Sequence, residues 1–265
     1  MQLLDFLRSK GFSRGILSSM KADKNAIQLN GERGFGKSIL QAGDSLHIHI
    51  PEADNTENIL PVKMDLSILY EDEDILVINK AADMPVHPSI GNYDNTLANG
   101  VTWYFKEKGQ HFVYRCINRL DRDTTGLIVL AKHALSAAVL SQAMRSREIH
   151  RTYQAFALGE TAASGTIDAP IARLNGSLIQ RTVDFASGER SVTHYRTLAH
   201  CSVFSHLELN LETGRTHQIR VHMAYIDHPL LGDTLYNKTP GTFPRQALHS
   251  ASLSFVHPIT EIGRA

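Results

Sequence analysis

Cysteine is nearly absent from this chain of 265 residues, with Cys116 and Cys201 as the whole supply. Two thiols build neither a disulfide framework nor a cysteine metal site, and their default state is reduced, as in cytoplasm. No apolar run approaches the roughly 20 residues that cross a bilayer. The opening Met-Gln-Leu-Leu-Asp-Phe-Leu lacks the basic start and small-residue cleavage pattern of a secretory leader, so none is expected. An excess of charge is missing as well. The 27 basic residues balance the 27 acidic ones, so bulk charge gives no argument for a nucleic-acid partner. There is no Gly-x-x-x-x-Gly-Lys-Ser/Thr phosphate loop and no Gly-x-Gly-x-x-Gly run. The 14 histidines are scattered, and the pairs His47 with His49 and His217 with His222 lie outside any His-Glu-x-x-His context. No cofactor and no metal are expected.

What is present suits a globular protein. Hydrophobic residues make up 42% and mean hydropathy is −0.19. The length allows one large domain and a small extra module. Charge is uneven locally, with Arg115, Arg119 and Arg122 close together and Arg145, Arg147 and Arg151 close together. A patch can hold phosphate in a neutral protein, because the attraction is screened beyond about 8–10 Å. A solvated helix end accounts for the second cluster equally well.

Apolar positions from residue 3 to about 20 repeat with a helical period, Gly11 splits them into two short helices, and Ser13 is placed to cap the second. Ile27 to Leu29 and Leu46 to Ile50 are strand-like, with an Asn30-Gly31 turn after the first and Gly43-Asp44 before the second. Polar, acidic residues from Glu52 to Asn58 suit a linker, which we place at 53–64 between a module at 1–52 and a domain at 65–265. In that domain we expect a strand at Ile68 to Tyr70, an acidic turn at Glu71 to Asp74, and a strand at Ile75 to Ile78 closed by Lys80. Helices are expected over Thr96 to Lys108 and His133 to Arg145. Strands are expected over Leu127 to Ala131, Ile149 to Leu158, and near Leu178 to Phe185, Ser191 to Ala199 and Phe204 to Leu211. Many strands with few helices between them indicate an α+β fold with a mostly antiparallel or mixed sheet.

The most informative run is Asn118-Arg119-Leu120-Asp121-Arg122-Asp123-Thr124-Thr125-Gly126. It is a polar loop leading into an apolar strand, where rigid structure can aim a side chain into an open site. By charge pattern alone it is an ordinary charged turn. A second run, Thr213-Gly214-Arg215-Thr216-His217-Gln218-Ile219-Arg220-Val221-His222, breaks a strand and opens a helix that Thr216 is placed to cap. A helix start there favours phosphate.

Together these runs resemble the RluA family of RNA pseudouridine synthases, whose signatures read His-Arg-Leu-Asp-Arg-Asp-Thr-Ser-Gly and Gly-Arg-Thr-His-Gln-Ile-Arg-Val-His. Asn118 and Thr125 depart from the first. Ala81-Ala82-Asp83 departs from a family Pro-Ala-Gly that follows Lys80. Pro229 to Asp233, Tyr236, Arg245 to His249 and His257-Pro258 continue the likeness over roughly 200 residues. The first 50 residues resemble an alpha-L RNA-binding module.

The resemblance implies a pseudouridine synthase catalytic fold, a mostly antiparallel mixed sheet flanked by helices, behind a small α+β RNA-binding module. It implies an isomerase that converts specific uridines in structured RNA, ribosomal ahead of transfer RNA, to pseudouridine by base flipping and without a cofactor. Asp121 is then the catalytic carboxylate, with Tyr153 and Arg220 beside it. Arg119, Arg122, Arg215, His217, Gln218 and Ile219 serve RNA binding and flipping. Whether Asp121 attacks the sugar, attacks the base or removes a sugar proton stays open. The protein is expected to be a cytoplasmic monomer with an RNA partner and no membrane partner. A silent RNA-binding or ribosome-assembly factor on the same fold is the alternative, and the intact Asp121, Tyr153 and Arg220 set speaks against it. A metal-dependent nuclease would need more acidic ligands than these residues offer.

Overall fold

A computed structural model describes residues 1–52, 59–241 and 243–264. Helices α1 (Leu3–Ser9) and α2 (Arg14–Ser19), a 3₁₀ turn at Met20–Ala22, and strands β1 (Ile27–Leu29), β2 (Glu32–Arg33) and β3 (Leu46–Ile48) form the N-terminal unit. Ser13 caps α2, its hydroxyl accepting from the Ile16 amide. Half of the expected linker, residues 53–58, lies outside the described residues; residues 59–64 carry no helix or strand.

The remaining elements are β4 (Ser67–Glu71), β5 (Ile75–Lys80), α3 (Leu97–Glu107), β6 (Thr125–Ala131), α4 (Ala134–Arg145), β7 (His150–Leu158), β8 (Ser164–Asp168), β9 (Ile171–Arg173), β10 (Arg181–Val183), β11 (Val192–His200), β12 (Phe204–Leu211), α5 (Gln218–Tyr225), β13 (Leu248–Val256) and β14 (Gly263–Arg264). Eight of the strands make one large sheet in the order β4-β5-β6-β13-β7-β12-β11-β8, with β14 paired to β13. Every pairing is antiparallel except β6 with β13. The fold is therefore α+β with a mixed, mostly antiparallel sheet.

Alternation along the strands sorts the core into two faces. Leu76, Ile78, Ile128 and Leu130 pack with α3 through Leu97, Val101 and Phe105, and with α5 through Ile219 and Met223. Ile75, Val129 and Ala131 point the other way and pack with Leu140 of α4. The helix α3 starts at a reciprocal cap, Thr96 accepting from the Asn99 amide while the Asn99 side chain accepts from Thr96.

The N-terminal unit is not a tethered bead. Its core of Leu3, Leu7, Phe12, Ile16 and Met20 is completed by Ala134, Leu135 and Ala138 of α4. Glu52 accepts from the Ala134 amide at 2.8 Å and pairs with Arg115. One helix is thus shared, with one side on the sheet and the other on the N-terminal unit.

Two local expectations are corrected. The strand near Leu178 to Phe185 shrinks to Arg181–Val183, because Leu174 to Gln180 is a loop closed by the Ser177 hydroxyl, which accepts from the Gln180 amide. Strands β8, β9 and β13 were not anticipated. In β13 the buried inward positions include Ser250, and a bulge between Ser250 and Ser252 breaks the alternation a strand pattern depends on.

Candidate active site

The signature loop enters β6 at Gly126, which has φ +111, and a Cβ there would meet the Ser250 carbonyl oxygen at 2.2 Å. Only glycine allows β13 to lie this close. Four side chains brace the loop. Lys80, 1% exposed, donates to the carbonyls of Ala81, Met84 and Arg122 at 2.7–2.9 Å, using all three ammonium protons. Arg245 donates to the Asp123 carbonyl, and Gln246 to the Thr124 hydroxyl. Asn118 is buried, donating to the Leu127 carbonyl and accepting from the Val129 amide. The departure from the family histidine thus leaves a residue that ties loop to strand. Burial pushes the Lys80 pKa down to about 8, with Asp123 and Asp121 opposing that fall.

Asp121 projects from this frame into a cleft lined also by Arg119, Tyr153, Arg215, His217, Gln218, Ile219 and Arg220. All the expected site residues except Arg122 therefore share one cleft. Arg122 is exposed and pairs with Asp83, which has φ 55. The family glycine position thus requires a left-handed backbone, which aspartate tolerates better than most residues.

Arg220 donates through Nη1 to Asp121 Oδ2 at 3.0 Å. Its remaining donors form a fork on Asp233, Nε to Oδ2 at 2.7 Å and Nη2 to Oδ1 at 2.9 Å. Asp233 is fully buried and also accepts from the amides of Leu235 and Tyr236. The two carboxylates keep Arg220 charged well above the usual range despite its burial. The guanidinium lies 5.1 Å from the centre of the Tyr236 ring.

His217 precedes α5 with a left-handed backbone, φ 58, and makes no side-chain capping bond; Thr216 does not occupy the cap position, contrary to the sequence expectation. Burial lowers the His217 pKa, with Asp121 opposing and Arg220 adding to the fall. The ring is therefore neutral at pH 7. The Tyr236 hydroxyl accepts from the Arg181 amide at 2.9 Å and lies 2.8 Å from His217 Nδ1. The simplest proton assignment has Tyr236 donating to Nδ1 and His217 Nε2–H facing Asp121 Oδ2 at 3.9 Å. Tyr153 stands on the inward face of β7 and is 4% exposed, with its phenol pKa raised by burial.

Gln218 lines the cleft, but its amide is engaged internally. It accepts from Thr213 Oγ1 and the Arg215 amide and donates to the Val192 carbonyl and Thr193 Oγ1. Ile219 is buried. Arg119 is exposed and makes no hydrogen bond or ion pair among the described residues. Asp233 and Tyr236 are the site residues that sequence reasoning left without a role. Their signal was their place in a family motif.

A wider groove continues from the cleft past Arg145, Arg147, Arg151 and Arg215, and a third recess adds Arg173 and Arg181. The neutral chain therefore concentrates arginine along one track. The one group of potential metal ligands among the described residues is Asp72, Asp74 and His257. His257 Nδ1 faces the amides of Ile259 and Thr260, so Nε2 carries the proton it gives to Asp72 at 3.0 Å. That nitrogen is not bare for a metal, and the cluster reads as a latch between the C-terminal segment and the β4–β5 turn. No helix among the described residues is long and apolar enough to cross a membrane.

Residues 74–225 match the RNA pseudouridylate synthase family. The chain is 40% identical over 262 residues to the uncharacterized RNA pseudouridine synthase YjbO of Bacillus subtilis (strain 168), covering 98% of this chain and 92% of that one. It is 42% identical over 240 residues to the ribosomal large subunit pseudouridine synthase D of Shigella flexneri, covering 85% and 73%. The solved structure of human RNA pseudouridylate synthase domain containing 1 superposes with a TM-score of 0.64 at 26% identity, over 76% of this chain and 82% of that one.

Proposed function

We propose, for a chain that belongs to the RluA family of RNA pseudouridine synthases, that it isomerises specific uridines of ribosomal RNA in the cytoplasm, with Asp121 as the catalytic carboxylate. Membership makes it an RNA-modifying isomerase; the RNA, the flipping step and the residue roles are the proposal. The reading rests on one observation. A partly exposed carboxylate, Asp121, is held by a buried arginine in a cleft that also contains Tyr153.

The chemistry breaks the bond from ribose C1′ to uracil N1, forms one from C1′ to C5, and moves the C5 proton to N1. Nothing is oxidised and no atoms are gained. A positioned carboxylate suits such a step because it can act as nucleophile or as base. Tyr153 supplies a flat, buried surface for an extruded base, and its raised pKa keeps the hydroxyl protonated. Arg119, at the mouth and unpaired, is the side chain available to fill the stack a flipped nucleotide leaves. The name of the Shigella relative supports ribosomal over transfer RNA. The N-terminal unit is assigned an RNA-binding role, and the protein is assigned as a monomer.

The test is pseudouridine mapping in ribosomal and transfer RNA from cells with the gene, without it, and with Asp121→Asn in its place. We expect ribosomal sites to vanish in the second and third strains. Loss confined to transfer RNA would overturn the substrate assignment, and full restoration by the Asn variant would overturn the role of Asp121.

A further inference from the structure

Helix α4 ends in a Schellman motif. The Glu148 amide donates to the Ala143 carbonyl at 2.8 Å and the Arg147 amide to the Met144 carbonyl at 3.4 Å. The left-handed residue between them, normally glycine, is Arg147 at φ 64. A bulky residue there carries backbone strain that glycine would not, so the helix end itself does not favour an arginine at this position. Its guanidinium reaches out to Glu212 Oε2 at 3.3 Å. Arg190 Nη2 reaches the same oxygen at 3.1 Å, and His194 Nε2 reaches Oε1 at 2.9 Å. Three cationic or donor groups, from the turn after α4, the loop before β11 and β11 itself, thus converge on one carboxylate. All of them are accessible, with about half of each arginine side chain exposed.

Arg147 and Glu212 of this cluster line the groove that leads to Asp121 and Tyr153. The Arg190 carbonyl accepts from Arg215, a residue of the cleft itself. In the same groove the buried Nε of Arg151 has no hydrogen-bond partner among the described residues. Two guanidinium groups already fix a point in space as the place for an anionic oxygen.

We propose that Glu212 stands in for an RNA backbone phosphate. In the free protein Oε2 holds Arg147 and Arg190. On binding, a non-bridging oxygen of a phosphodiester flanking the target nucleotide takes both arginines, and Glu212 stays with His194. The site is a phosphate subsite of the groove, and it rests on the RNA-modifying reading above. A carboxylate parked on the arginines weakens attachment to any passing polyanion and favours RNA that also fills the cleft.

The experiment measures affinity for an in vitro transcript of large-subunit ribosomal RNA across a salt series, for the parent protein, Arg147→Gly and Glu212→Gln. Arg147→Gly is expected to weaken binding at least threefold and to reduce the salt slope by about one, the signature of one lost phosphate contact. Its thermal midpoint should not fall, because glycine is the residue the helix end prefers. Glu212→Gln is expected to tighten binding about threefold, because the competing charge is gone while the arginines remain. The proposal is overturned if Arg147→Gly keeps the parent slope, if it weakens binding only by lowering the thermal midpoint, or if Glu212→Gln weakens binding. The enzyme reading would fail separately, through absence of pseudouridine in RNA treated with the parent protein.

Discussion

Arg220 gives its two-donor fork to Asp233 and a single hydrogen bond to Asp121. The observed division anchors the guanidinium on a fully buried carboxylate, and the remaining Nη1 is then fixed in space as a pointer for the reactive one.

Both partners of the anchor should therefore matter. Arg220→Lys keeps the charge but cannot serve two carboxylates with a fork, and we expect kcat to fall about 10²-fold, roughly 2.7 kcal/mol of barrier. Asp233→Asn should lower kcat comparably without touching the reacting atoms, and should cost about 3 kcal/mol of stability because it strips a buried cation of its partner. Single-turnover kinetics and denaturant melts check both. A Lys variant as fast as the parent would remove the pointer role.

Asp121→Asn should abolish isomerisation while leaving RNA affinity within about tenfold, roughly 1.4 kcal/mol. The side chain is partly exposed and makes one hydrogen bond to the frame, so its loss leaves the cleft standing. Product formation at more than a few per cent of the parent rate would contradict this.

The Lys80 pKa near 8 predicts a pH signature with opposite effects on activity and stability. As pH rises through about 8 the folded ammonium loses a proton, one of its three carbonyl contacts goes, and the Asp121 loop loosens, so kcat should fall. The folded pKa lies below the unfolded value of about 10.4, so the unfolded chain binds more protons in between. Lys80 therefore destabilises the fold below pH 8, and that cost fades as pH rises to about 10.4. Paired rate and melting profiles from pH 7 to 10 test this, and a flat rate profile would dismiss it.

Gly126→Ala should be among the most damaging single changes in the catalytic domain. It places a Cβ 2.2 Å from the Ser250 carbonyl at a positive φ, and a loss on the order of 3 kcal/mol or more follows from strain plus overpacking. A thermal melt within a degree or two of the parent would show that β13 can move aside.

Deleting residues 1–52 should do more than weaken RNA binding. It uncovers Ala134, Leu135 and Ala138 and removes the Glu52 carboxylate from the start of α4. We expect a lower thermal midpoint and a tendency to aggregate. A truncated protein as stable as the parent would mean that the shared helix needs no cover.

Much of this was legible in the chain. Sequence pattern placed α3, α4, β5, β6, β7 and β12 within a residue or two, because the helices start at caps, β5 and β6 are short apolar runs, and β7 and β12 alternate. The signature runs located the cleft, since Asp121 and Arg220 bring 99 residues of separation down to 3.0 Å. What escaped was decided by long-range fit. Asp233 reads as a loop aspartate until Arg220 is seen against it. Strand β13 hides behind its serines, and Gln218 looks like a ligand-facing amide until its four internal partners are counted. The docking of the N-terminal unit on α4 depends on small residues, Ala134 and Ala138, that carry no pattern of their own.

The placement of β13 has a consequence for how the protein comes into being. This strand, made after both of its neighbours, lies between β6 and β7, and it carries the Ser250 backbone against which Gly126 is set. While the ribosome is still adding residues beyond Tyr225, the edges of β6 and β7 have no partner and the loop bearing Asp121 lacks its Arg245 and Gln246 braces. Such open edges are sticky and slow to close, because the missing contact spans more than a hundred residues. The Asp121 loop therefore gains its full set of braces only once residues 245–256 have been added.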